Sequence, residues 1–176
     1  MDEIEEGQIN TGFDRGIDYK EIKDKLLTAM NKLYEMLKNN DGKLTSRKLM
    51  YTIISLIQLK CGSRISEAVK AFILFIKKGI KDKIIVRISK TGALKIGKDG
   101  KKKRAKVRYR YMVWPTWISN EIYEALKNND IVNSLIESST LKKRVLDYLA
   151  RNFDCNTHSL RYACINFMIN EKKVCY

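Results

Sequence analysis

Three places in the chain carry cations at spacings suited to gripping a phosphate. The first is Gly62-Ser-Arg-Ile-Ser-Glu67. An arginine just after a tight glycine turn, in the first turn of a helix, projects from a rigid base. Its planar guanidinium can hold two phosphate oxygens through parallel hydrogen bonds, and the positive end of the helix adds to the field. Alone, an arginine three residues before a glutamate is more often a surface ion pair. The second is Thr157-His-Ser-Leu-Arg161, where His158, the only histidine, and Arg161 stand three apart and share a helix face. The imidazole can donate to a phosphoryl oxygen or shuttle a proton, and the guanidinium neutralises charge without deprotonating. In isolation that pair is more often a capping histidine beside a solvated arginine. The third runs from Lys90 to Arg110 and is dense with Lys95, Lys98, Lys101, Lys102, Lys103, Arg104, Lys106 and Arg108. A basic hairpin with tyrosines on the other strand face suits a DNA groove. It also suits a solvated edge that resists aggregation, and the two readings are compatible.

The elements that must hold these residues are legible as periodicities. Residues 1–17 carry glycines and acids without apolar period and read as a mobile lead-in to a domain spanning 18–176. From Asp18, Ile22, Leu26, Ala29, Leu33, Met36 and Leu37 recur at helical spacing until Asn39-Asn-Asp-Gly42 stops them. A second helix is predicted from a Thr45 cap to Cys61, with Gly62 as its left-handed stop. A third, capped by Ser63, presents Ile65, Ala68, Val69 and Phe72. Ile84 to Ile88 is a short β-branched run. Val107, Tyr109, Tyr111 and Val113 alternate with Lys106, Arg108, Arg110 and Met112, the period of a half-buried strand. A middle strand near Leu94 and Ile96 completes a small antiparallel sheet with a basic face. Helical spacing returns from Trp117 to Leu126, from Leu141 to Leu149, and after a Thr157 cap, with Leu160, Cys164 and Phe167 or Met168 inward. The expected fold class is α+β, mainly α.

Composition narrows the partners. The 176 residues, 44% apolar, suffice for one domain with a real core, and 35 Lys and Arg against 20 acids give +15. That surplus favours a polyanion, although a lysine-rich soluble surface would produce it too. Cys61, Cys155, Cys164 and Cys175 form no CxxC pair and read as reduced thiols of an intracellular protein. Cys155, His158, Cys164 and Cys175 match no common zinc finger in spacing, so no metal or other cofactor is expected. The start is acidic where a signal peptide would be basic and then apolar. Leu49 to Leu59, broken by Thr52, Ser55 and Gln58, is too short and too polar for a membrane span.

The order of the motifs is more informative than any one of them. "CGSRISEAVKAF", then "VRISKTG…KKKRAKV", then helices and "THSLRYACINFMIN" resemble the catalytic domain of the tyrosine recombinases, the phage and archaeal-virus integrase group, over roughly residues 18 to 170. The resemblance implies a recombinase catalytic domain that cuts and rejoins duplex DNA through a 3′-phosphotyrosyl link, as a tetramer on DNA. In it, Arg64 and Arg161 clamp the non-bridging oxygens of the scissile phosphate and His158 assists. Lys90 is the general acid for the departing 5′-oxygen, with Lys95 and Lys101 to Lys103 as competitors for that role. Glu67 is structural and holds the loop that carries Arg64. The family uses no metal.

Two departures qualify the match. Only Tyr162 and Tyr176 follow Arg161, and Tyr162 stands where the family usually has a histidine. Tyr176 lies 176 − 161 = 15 residues on, which is ~22 Å along a continuous helix and too far to share a phosphate. No nucleophile is therefore identified, and the expectation is a C-terminally incomplete domain. The family's separate DNA-clamping domain is also not represented by residues 1–17, which leaves a catalytic core alone. Two other readings stay open. One is a non-catalytic DNA-binding or regulatory module with the recombinase fold. The other, an RNA- or ribosome-associated protein, explains the charge but not the paired motifs.

Overall fold

The computed structural model describes residues 16–39, 42–79, 82–88, 94–104 and 107–171. Asp18 caps α1 (Tyr19–Lys38), its carboxylate accepting the Glu21 N–H at 3.0 Å. Ile22, Leu26, Met30 and Leu33 form the buried stripe of this helix. Next comes α2 (Lys43–Cys61), closed by Gly62 at φ 60, a left-handed turn that a side chain would strain. The predicted Thr45 cap is displaced, because the Gly42 carbonyl already accepts the Ser46 N–H and Thr45 is buried inside the helix. In α3 (Ile65–Lys78), Arg64 rather than Ser63 takes the capping position. Then follow α4 (Asn120–Lys127), a short α5 (Asp130–Leu135) that the periodicity did not reveal, α6 (Leu141–Phe153) and α7 (Thr157–Asn170). Six residues are too few to show a 3.6 period. Asn156, not Thr157, caps α7, accepting the Ser159 N–H at 2.8 Å.

The centre of the molecule is α2. It packs against α1, α3, α5, α6 and α7, and residues 49–59 are buried on every side. A helix without a polar face belongs inside a domain. Of its buried polar side chains, Thr52, Ser55 and Gln58 each make at least one hydrogen bond. Ser55 donates to the Tyr51 carbonyl at 2.8 Å, and Thr52 shares a 2.7 Å hydrogen bond with the Tyr148 hydroxyl of α6. Tyr148→Phe is expected to cost about 1 kcal/mol in a urea melt; an unchanged midpoint would show that this bond contributes nothing net. Tyr19 stacks on Phe167 with centroids 4.1 Å apart, which closes α1 onto α7.

Two antiparallel ladders stand outside this helical body. β1 (Ile84–Arg87) pairs with β4 (Tyr109–Met112), and between them in sequence β2 (Leu94–Ile96) pairs with β3 (Lys102–Arg104). The expected middle strand thus pairs with a strand of its own rather than joining a three-stranded sheet. On β4 the buried face is Met112 with the partly buried Arg110, while Tyr109 and Tyr111 point outward at 64% and 60% exposure. The apolar character of tyrosine does not decide its face here. Met112 is wholly buried, and alternation sends the tyrosines to solvent, where Lys83 lies 3.7 Å over the Tyr111 ring. The architecture is mainly helical with small antiparallel strands, as predicted. Among the described residues no helix is long and apolar enough to cross a membrane.

Candidate functional site

The end of α2, the start of α3, the start of α7 and one flank of α6 meet around a cleft of about 500 Å³. It is lined by Gln58, Arg64, Ile65, Ser66, Lys142, Leu146, Asn156, Thr157, His158 and Arg161. Arg64, His158 and Arg161, which come from segments far apart in the chain, therefore face one space.

Gln58 joins the two segments. From inside α2 its side-chain nitrogen donates to the Ser63 carbonyl at 3.1 Å and to the Thr157 carbonyl at 2.8 Å. These carbonyls belong to the residues just before Arg64 and just before His158, so one buried amide sets the spacing of the cleft's two walls. Gln58→Leu leaves both carbonyls without that donor. It is expected to cost about 1–3 kcal/mol by denaturant melting, and a loss below a few tenths would mean the walls are held elsewhere.

Glu67 fixes the Arg64 backbone. It is wholly buried, and its Oε2 accepts the Arg64 N–H at 3.0 Å. Its Oε1 lies 3.6 Å from the Arg110 Nε, an ion pair too long for a hydrogen bond. Arg110 also donates through Nη1 to the carbonyls of Cys61 and Gly62, at 3.2 and 3.0 Å. A guanidinium on the last carbonyls of α2 suits the negative end of that helix. The turn between α2 and α3 is thus clamped from both sides.

The field in the cleft is positive. Burial holds the Arg161 guanidinium below its usual pKa, repulsion from Arg64 and Arg110 adds to the shift, and Glu67 opposes it. One Arg161 nitrogen, Nη1, is buried and has no protein hydrogen-bond partner. Three guanidiniums set against one carboxylate, with a buried donor left over, form a seat for an anion. Lys142 of α6 adds a further cation to the lining.

The other predicted residues lie apart. Lys98, Lys101, Lys102 and Arg108 are exposed along the hairpin and do not line the cleft; Lys95, Lys103 and Arg104 belong to β2 and β3. Lys90, Lys106, Cys175 and Tyr176 lie outside the described residues. Tyr162 follows Arg161 at 37% exposure and does not line the cleft either. Sequence reasoning missed Gln58, Arg110 and Lys142. A polar residue inside an apolar helix pointed to the first, and an arginine sharing a strand face with a methionine pointed to the second. Nothing local marked the third. Among the described residues Cys61, Cys155 and Cys164 form no disulfide with one another, and burial raises the Cys61 pKa. Among the described residues no group of three or more His, Cys, Asp or Glu could hold a metal ion.

Comparison with known proteins bears on the same chain. No protein-family model matches it, and no solved structure matches it significantly. It is 37% identical over 174 residues to "Putative integrase V10" of Sputnik virophage, covering 94% of this chain and 77% of that protein. It is 29% identical over 164 residues to "Putative integrase ORF241" of Acidianus two-tailed virus, covering 92% of this chain and 55% of that protein. It is 28% identical over 176 residues to an uncharacterized protein of Methanocaldococcus jannaschii, covering 89% of this chain and 71% of that one. Identity and coverage of this extent place the chain in the integrase family of the Sputnik virophage protein.

Proposed function

We propose that the cleft holds the scissile phosphate of duplex DNA and that the chain is the core of a tyrosine-type site-specific recombinase. The observation that carries this reading is the meeting of Arg64, His158 and Arg161 around one positive cleft, with a buried Arg161 donor free to take an oxygen. Arg64 and Arg161 hold the two non-bridging oxygens and neutralise the charge that grows on them in the pentacovalent state. His158 hydrogen-bonds the same phosphoryl group. A tyrosine hydroxyl attacks phosphorus and passes its proton to His158, the bond to the 5′-oxygen breaks, and Lys90 donates the proton which that oxygen takes up. The product is a 3′-phosphotyrosyl link, and attack by a free 5′-hydroxyl reverses the step to rejoin the strand.

No tyrosine is among the residues lining the cleft, so the nucleophile enters it from another segment or another subunit. The reading calls for no cofactor. It has the protein working inside the host cell and assembling as a tetramer on DNA. The exposed cations of the β2–β3 hairpin follow the DNA backbone, so binding should weaken steeply as salt rises. Affinity indifferent to salt between low and physiological concentration would remove the hairpin from the contact surface.

The test is to incubate the full-length protein with a nicked duplex carrying its target junction and analyse for covalent adducts. A protein–DNA adduct through a 3′-phosphate is expected. Strand transfer that proceeds with no adduct would overturn the tyrosine-type reading.

A further inference from the structure

The flank of α6 opposite the cleft carries a second cationic groove that the phosphate chemistry above does not use. At roughly 100° per residue, Lys142 and Leu146 share one side of α6, whereas Arg144, Tyr148 and Arg151 share another. The latter set faces the first half of α2 across a groove of about 440 Å³, where Arg47, Lys48 and Tyr51 complete the lining. Through Lys48 and Tyr148 it continues into a neighbouring hollow of about 480 Å³ that adds Lys32.

The charges in the groove are not compensated. Among the described residues, none of Arg47, Lys48, Arg144 and Arg151 is ion-paired with a carboxylate, and Asp147 is the one acid in the lining. The Nε of Arg47 is buried without a protein hydrogen-bond partner. Four like charges brought together around one acid repel one another and leave a donor shielded from water, and a bound anion relieves both costs. The groove and the adjoining hollow share Lys48 and together carry Arg47, Arg144, Arg151 and Lys32, more cations than a single phosphate needs and a better fit to a polymeric anion. Its aromatic floor is closed, Tyr51 and Tyr148 being 8% and 7% exposed, so it offers little to anchor the apolar side chains of a peptide. Planar guanidiniums match phosphate oxygens in pairs.

We propose that this groove is a second, non-catalytic seat for the DNA backbone. It rests on the reading that the chain acts on DNA. It grips phosphates away from the scissile one, adding affinity that is independent of base sequence and fixing the register of the duplex.

The experiment measures binding of the chain to a random-sequence duplex by fluorescence anisotropy across a salt series. With Arg47→Gln, Arg144→Gln and Arg151→Gln combined, the log–log salt slope is expected to fall by about 2 to 3, near 0.9 for each phosphate no longer neutralised. A slope equal to the parent's overturns the proposal. So does a variant that keeps the DNA slope while its affinity for poly-glutamate falls, which would make the groove a peptide site. Should the triple variant fail to fold by circular dichroism, Arg144→Gln alone is expected to lower the slope by about 0.9, and no change would again overturn the proposal. Adduct formation by the full-length protein is scored in parallel. Adducts with an unchanged slope sink the groove alone, and a reduced slope without adducts sinks the tyrosine-type reading alone.

Discussion

Arg161→Ala is expected to lower strand cleavage by about 10²- to 10³-fold or more while DNA binding persists, measured as adduct formation in a single turnover. One preorganised donor at a developing oxyanion is worth about that much, and this donor also carries a full charge into a partly buried site. Arg161 lies beside Arg64 and Arg110, and its Nη1 is buried with no protein hydrogen-bond partner. Binding should change little, because one neutralised phosphate among many lowers the salt slope by only about 0.9. Arg161→Lys should recover part of the loss at most, since a point charge cannot reproduce the two-pronged grip. Arg64→Ala is expected to behave as Arg161→Ala does. Unimpaired cleavage by either alanine variant would remove that arginine from the phosphate pocket.

The largest loss of stability is expected from Glu67→Ala, about 3–5 kcal/mol, a large share of the 5–15 kcal/mol that typically holds a domain together. The carboxylate is wholly buried, accepts the Arg64 N–H and faces Arg110, so removing it leaves a half-buried guanidinium uncompensated. Glu67→Gln keeps an acceptor for the Arg64 N–H but not the charge, and should cost less. Glu67→Ala combined with Arg110→Leu should be more stable than Glu67→Ala alone, because removing a buried pair is cheaper than breaking one. Urea melts of the three variants decide this. A double variant no more stable than the single one would show that the two side chains act independently.

Much of the helical frame could be read directly from spacing. The stripe of Ile22, Leu26 and Leu33, the Gly62 stop and the shared helix of His158 and Arg161 are local patterns, set by residues within one or two turns of each other. Capping was less legible. Ser63 and Thr157 are ordinary capping residues by type, yet Arg64 and Asn156 take those positions, with the Glu67 carboxylate and the Asn156 amide oxygen supplying the hydrogen bonds. In both cases several polar residues stand side by side, and the fold of the preceding turn decides which backbone N–H groups need a partner. The face of β4 was not legible either. Alternation shows that two faces exist, but the packing of the body decides that Met112 and Arg110 turn inward.

The cations, their types and their order along the chain are the sequence's own doing, because guanidinium and imidazole chemistry and an i, i+3 spacing need nothing beyond local structure. What brings Arg64, His158 and Arg161 around one cleft is packing. Gln58 ties the carbonyl before Arg64 to the carbonyl before His158, Arg110 reaches across from β4 to Glu67, and α6 brings in Lys142. Each of these contacts joins residues far apart in sequence, and no local preference specifies them. They accompany the burial of α2 on every side, which packs it against α7 as well as against α1, α3, α5 and α6.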